Sequence, residues 1–66
     1  MEQKYEPMIK LKVRRIECGM RQADLAEKAG ISSVLVSLYE RGVIFPRKHT
    51  LDALAKALGC DVRDIV

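Results

Sequence analysis

The stretch Gln22–Gly42, QADLAEKAGISSVLVSLYERG, leaves little choice to the fold of this 66-residue chain. Gln22 to Ala29 holds three alanines, a leucine, Glu27 and Lys28, a composition that favours helix more than any other segment. Leu25, Ala26 and Ala29 form a narrow apolar stripe, and the small Ala26 lets another backbone approach closely. Arg21 stands where a Ser, Thr or Asp cap is expected, which weakens the start by about 1 kcal/mol. Gly30 suits the left-handed residue that ends such a helix. Ile31 then enters the core, and Ser32 is a good N-cap for a second helix, Ser33–Arg41. Its Val36 and Tyr39 face inward with Ile31, Leu35 stands at the edge, and Gly42 closes the helix as Gly30 closes the first. Two short helices meeting at a tight corner are the expected centre of the molecule.

The flanking segments read as further helices. Met1–Glu6 has no apolar periodicity and is expected to fray, so residues 1–7 form a flexible lead and residues 8–66 the single domain. Pro7 fits the first turn of a helix. In Met8–Cys18 the alternation of Ile9, Leu11 and Val13 suggests a strand. Met8, Leu11, Arg15 and Ile16 near one helical face suggest a helix instead, and Gly19 just beyond is a natural stop. The helix is the reading adopted. Val43–Thr50 is a loop broken by Pro46, with Ile44 or Phe45 packing back. Thr50 is expected to cap Leu51–Leu58, whose Leu51, Leu54, Ala55 and Leu58 recur at i, i+3, i+4 and i+7. Gly59 stops it, and Asp61 is expected to cap a last short helix carrying Asp64, Val62, Ile65 and Val66. The sum is an all-α domain of five helices.

Composition narrows the function classes. Twelve Lys and Arg against nine Asp and Glu give a formal charge of +3, compatible with a polyanion but not diagnostic. Cys18 and Cys60 are too few for a disulfide framework, and with His49 too few for zinc, so two reduced thiols and no metal are expected. His49 reads as a surface residue. No apolar run reaches membrane-spanning length, and the first residues do not form a signal peptide, which leads to an expected cytoplasmic location. A second histidine, a nucleophile beside a base and a glycine-rich phosphate loop are all lacking, so neither an enzyme nor a cofactor is expected. If these residues are the whole protein, no room remains for a ligand-sensing domain.

Gln22-x-x-Leu25-Ala26-x-x-x-Gly30-Ile31-Ser32-x-x-x-Val36-Ser37-x-x-Glu40-x-Gly42 resembles the helix-turn-helix signature of the Cro/CI (XRE-type) repressor family. The likeness continues into Leu51-x-x-Leu54-Ala55-Lys56-Ala57-Leu58-Gly59 and covers residues 8 to 66. It implies a lambda-repressor-like fold in which helices two and three form the motif. It also implies sequence-specific binding of double-stranded DNA by a transcriptional regulator, most often a repressor, with helix 33–41 in the major groove. By position in the motif, Ser33, Val34, Ser37 and Leu38 reach bases or flanking phosphates. Gln22 contacts phosphate and braces the recognition helix. Ser32 caps that helix and can bond a phosphate, and Arg21, Arg47 and Lys48 lie near the DNA backbone. The same likeness places Arg15 and Glu40 in a partly buried ion pair between the first and third helices.

The chain departs from the family where bases are read. Val34 and Leu38 stand where polar or basic residues are common, and neither can make the bidentate bonds that read guanine or adenine. Readout then falls on Ser33, Ser37, thymine methyl contacts and DNA shape. The competing reading is a protein-interaction module using Val34 and Leu38 as an apolar ridge. A monomer with few base contacts binds weakly, so a homodimer on a palindromic operator is expected. Its expected interface is the C-terminal helix, Val62, Ile65 and Val66, with part of the Phe45 loop.

Overall fold

The computed structural model describes residues 3–66 and contains four α-helices and a 3-10 turn. They are α1 (Ile9–Glu17), α2 (Gln22–Ala29), α3 (Ser33–Arg41) and α4 (Lys48–Leu58), followed by the turn at Val62–Asp64. The expected fifth helix is therefore a single 3-10 turn, closed by Asp64 N–H to the Asp61 carbonyl at 2.9 Å and Ile65 N–H to Val62 at 3.0 Å. Both closing bonds are of the i→i−3 type, the pattern that serves single short turns. Asp61 does not cap it with its side chain. The Asp64 carboxylate accepts from the Asp61 N–H at 3.0 Å instead.

Helix α4 begins three residues earlier than Thr50 implies. Arg47 occupies the N-cap with extended backbone, Leu51 N–H bonds to the Arg47 carbonyl at 2.9 Å, and Thr50 is buried inside the first turn. Burial of Thr50 overrides its capping preference. The start is left with Arg47 and Lys48 and no acidic residue, opposite to what the helix dipole favours.

Five side chains are almost wholly enclosed: Leu11, Leu25, Val36, Leu54 and Ile65. They come one each from α1, α2, α3, α4 and the tail, so every element is pinned at the same centre. Burying such a residue stabilises by about 1.5–3 kcal/mol. Helix α2 packs against both α3 and α4, and α1 packs against α3 and the terminal turn. The buried Ala26 sits in α2, where a larger side chain would hold the helices apart.

Two expectations about exposure are corrected, and one alternative is decided. Ile16 is 57 % exposed and belongs with Ile9 and Val13 on the outside of α1, while Met8, Leu11 and Arg15 face in. At 100° per residue, Ile16 lies opposite Leu11, so the two cannot share a buried face. Ile65 is fully buried and Val62 packs on the core, which leaves only Val66 of the expected C-terminal interface free. In the loop after α3, Ile44 packs on the core while Phe45 stands outside, its ring 6.2 Å from that of Tyr5.

Of the segment expected to be flexible, Met1 and Glu2 lie outside the described residues. Lys4 and Tyr5 donate their N–H groups to the Gly42 carbonyl at 3.1 and 2.8 Å, and Met8 N–H reaches Tyr39 at 3.4 Å. Both cysteines are free thiols. Cys18 points at the Leu58 carbonyl, and burial pushes the Cys60 thiol up from its ordinary range.

Candidate nucleic-acid interface

Helices α2 and α3 meet at a corner built from backbone. Gly30 adopts φ +74°, and Ile31 N–H returns to the Ala26 carbonyl at 2.9 Å. The Ser32 hydroxyl then accepts from Val34 N–H at 3.2 Å and starts α3. Ser32 is thus an N-cap at an exposed position. The small residues of the motif set the angle, and the cap sets where α3 begins.

A buried polar hub fixes how α3 sits against the other helices. Arg15 of α1 clasps Glu40 of α3 at two points, Nε to Oε2 at 2.7 Å and a terminal nitrogen to Oε1 at 3.1 Å. A third Arg15 nitrogen donates to the Met20 carbonyl at 2.8 Å. Gln22, at the start of α2, donates its side-chain amide to Glu40 Oε1 at 3.1 Å. One carboxylate therefore ties α1, α2 and α3 together. The Gln22 amide nitrogen is engaged internally, while its partly exposed side chain keeps a carbonyl oxygen and a second N–H to offer.

On α3 the outward face runs through Ser33, Val34 and Ser37. Ser33 is exposed, Val34 is 62 % exposed and Ser37 is half-buried. Leu38 is half-buried too, so Val34 and Leu38 do not form an evenly exposed ridge. Arg41 was not singled out by sequence, yet it extends this face. It is exposed one turn beyond Ser37, donating to the Ser37 carbonyl at 3.4 Å. Its signal was the i, i+3, i+7 spacing of Val34, Ser37 and Arg41.

The flanking cations differ in their readiness. Arg47 and Lys48 are exposed at the start of α4, with neither in an ion pair among the described residues. Arg21 is paired across its own helix start with Asp24, at 3.2 Å to Oδ2 and 3.3 Å to Oδ1. The Arg21 N–H also donates to Asp24 at 2.9 Å, so Asp24 supplies the N-terminal satisfaction that Arg21 itself cannot. The Arg21 side-chain bond, followed by the backbone one, holds the Asp24 carboxyl below its usual range. Its small stabilising effect is present above the ordinary carboxylate pKa and is lost as pH falls through the depressed folded value. Among the described residues no group of three or more His, Cys, Asp or Glu could hold a metal ion.

A short helix, a glycine corner and a serine-capped second helix with an exposed polar start define a helix-turn-helix DNA-binding domain. Comparison with known families agrees: the Helix-turn-helix model HTH_3, of Cro/CI (XRE) type, matches residues 11–65, and the chain belongs to that family, which is not enzymatic. Among individual proteins, it is similar to repressor protein C2 of Salmonella phage P22, 39 % identical over 51 residues. That match takes in 77 % of this chain and 24 % of the phage protein, so the chain spans about a quarter of its relative's length. No helix among the described residues is long and apolar enough to cross a membrane.

Proposed function

We propose that the domain binds double-stranded DNA sequence-specifically as a transcriptional repressor in the cytoplasm, with α3 in the major groove. The observation that carries this reading is the outward face of α3, Ser33, Val34 and Ser37, projecting from a corner held rigid by the Glu40 hub. Ser33 and Ser37 hydrogen-bond base edges, Val34 packs on a thymine methyl, and Leu38 borders the face. Arg41, Arg47 and Lys48 hold phosphates on either side of it, with Ser32 and Gln22 adding neutral donors. Because so few groups can read bases, DNA shape carries part of the specificity and two copies act together on a palindrome.

Selection of bound sequences from a random duplex pool tests the reading. An enriched palindrome with half-sites about 10 bp apart is the expected result, and no enrichment overturns it. Salt separates this reading from a protein-interaction module based on Val34. Affinity carried by phosphate contacts falls steeply as salt rises, whereas apolar docking barely responds.

Two substitutions probe the positioning contacts by titration of such a duplex. Gln22→Ala is expected to weaken binding about tenfold, since it removes a phosphate donor and loosens α2 against Glu40. Asp24→Asn is expected to strengthen binding severalfold at low salt, with the gain shrinking as salt rises. It removes a carboxylate that competes with phosphate for Arg21 while keeping an oxygen to accept the Arg21 N–H. Unchanged affinity for Asp24→Asn takes Arg21 out of the interface.

A further inference from the structure

Cys18 and Cys60 are far apart in sequence, and the fold brings them to the same edge of the domain. Cys18 is the C-cap of α1 and is exposed, while Cys60 follows the Gly59 cap of α4 and is half-buried. Cys18 Sγ points at the Leu58 carbonyl oxygen, 3.9 Å away and two residues short of Cys60. The chain does not lead off from there. Gly59, at φ +67°, turns it back, and Cys60 N–H returns to the Ala55 carbonyl at 3.0 Å, so Cys60 stays at the end of α4. The two thiols are also close enough to act on each other electrostatically. Burial raises the Cys60 thiol most, Arg14 opposes the rise, and Asp64, Cys18 and Asp61 add to it.

We propose that Cys18 and Cys60 form a dithiol site that reacts with a small organic disulfide and closes to a reversible bond between the ends of α1 and α4. Exposure decides the order of the steps, with Cys18 meeting the reagent first. The Cys18 thiolate attacks one sulfur of the small disulfide and bonds to that half. The reagent's own sulfur–sulfur bond breaks, and its other half leaves as a thiolate that takes up the Cys18 proton. The Cys60 thiolate then attacks the Cys18 sulfur, forms the Cys18–Cys60 bond and expels the second half, which takes up the Cys60 proton. Two protein thiols are oxidised, and one small disulfide is reduced to two thiols. An excess of small thiol runs the same steps backwards.

Closure needs the two Cβ atoms about 3.5–4.5 Å apart. Both cysteines lie just outside helix bodies, beside Gly19 and Gly59, so any adjustment falls on turn backbone and disturbs no helix interior. The bond adds a tie between elements that otherwise pack elsewhere, α1 on α3 and the terminal turn, α4 on α2 and that same turn. Cys18 also lies between Arg15 and Met20, the donor and acceptor of one bond of the Glu40 hub, so the tie secures the support of α3. The closed loop of about 40 residues restricts the unfolded chain far more than the folded one. The inference is independent of the DNA reading, because it concerns the protein free of DNA.

Incubation of the folded chain with glutathione disulfide, followed by alkylation and mass analysis of the intact protein, tests the proposal. The expected product is a single chain lighter by two hydrogens, with no alkylated thiol and with the Cys18 and Cys60 peptides linked. Its melting temperature should lie about 10 °C above that of the reduced chain, and excess reduced glutathione should restore both thiols and the lower value. Cys60→Ser should stop at a glutathione adduct on Cys18 and gain no such stability. Cys18→Ser should react more slowly, because the half-buried Cys60 must then meet the reagent itself. A wild-type chain that halts at the Cys18 adduct, that bonds only to other chains, or that closes only in denaturant overturns the proposal. So does a bridged chain that melts no higher than the reduced one, since the fold then resists the bond.

Discussion

Glu40→Ala is expected to cost about 3–5 kcal/mol in denaturant unfolding, the full stability of many domains this small. The side chains of Arg15 and Glu40 are only 10 and 3 % exposed. Truncating Glu40 leaves the Arg15 guanidinium enclosed with the Met20 carbonyl as its remaining acceptor, and deprives the Gln22 amide of its bond. Water does not reach the Arg15 side chain easily, so the desolvation cost already incurred by the charge is no longer offset. The melting temperature should fall by about 12 °C or more, since each kcal/mol is worth about 4–8 °C in domains near this length. Replacing the pair together, Arg15→Met with Glu40→Leu, should cost much less, because no buried charge is then stranded. A Glu40→Ala chain within about 1 kcal/mol of wild type would mean that the hub contributes little net stabilisation.

Gly42→Ala should cost about 2–5 kcal/mol, well above the same change at Gly30. Both glycines are left-handed, at φ +78° and +74°, so both lose about 1–2 kcal/mol to backbone strain on gaining a Cβ. They differ in what that Cβ meets. At Gly30 nothing lies within 4 Å, whereas at Gly42 the new atom strikes the Tyr5 carbonyl oxygen and comes to 2.9 Å from the Pro7 nitrogen. These are backbone atoms, held by the bonds from Lys4 and Tyr5 to the Gly42 carbonyl, so they cannot swing aside as a side-chain tip would. The added cost is an overpacking term of about 1–3 kcal/mol. Deleting residues 1–7 should remove it and bring Gly42→Ala down to the Gly30 value relative to its own parent. Equal costs for the two glycines in the intact chain would show that the segment before α1 does not press on α3.

The helix-turn-helix motif was legible because its residues act locally. Gly30, Ser32, Val36 and Tyr39 set a corner, a cap and an inward face from their own conformational and burial preferences. Helix α1 was legible as a helix but not in its orientation. Met8, Leu11 and Ile16 are all apolar, and only packing showed that Leu11 is enclosed while Ile16 points away. Thr50 misled because capping preference is worth about 1 kcal/mol and burial of the same residue outweighs it. On the outward face of α3, the sequence singled out Ser33, Val34 and Ser37 but not Arg41, although the i, i+3, i+7 spacing of Val34, Ser37 and Arg41 places it on the same face.

By itself, then, the sequence determined the order of the helices, the glycine corner between Gln22 and Gly42, and the family. Those depend on conformational preferences that each short segment carries with it. Tertiary structure alone decided which apolar residues of α1 and of the C-terminal turn are interior. It drew Ile65 of a bare 3-10 turn into the centre of the core and left Ile9, Val13 and Ile16 on the outside, because the available space inside α1, α3 and α4 is filled from one side of α1 only. It also decided what Arg21 and Gln22 do before any DNA arrives. One is held by Asp24 and the other by Glu40, pairings fixed by distances across folded elements and the geometry of a helix start.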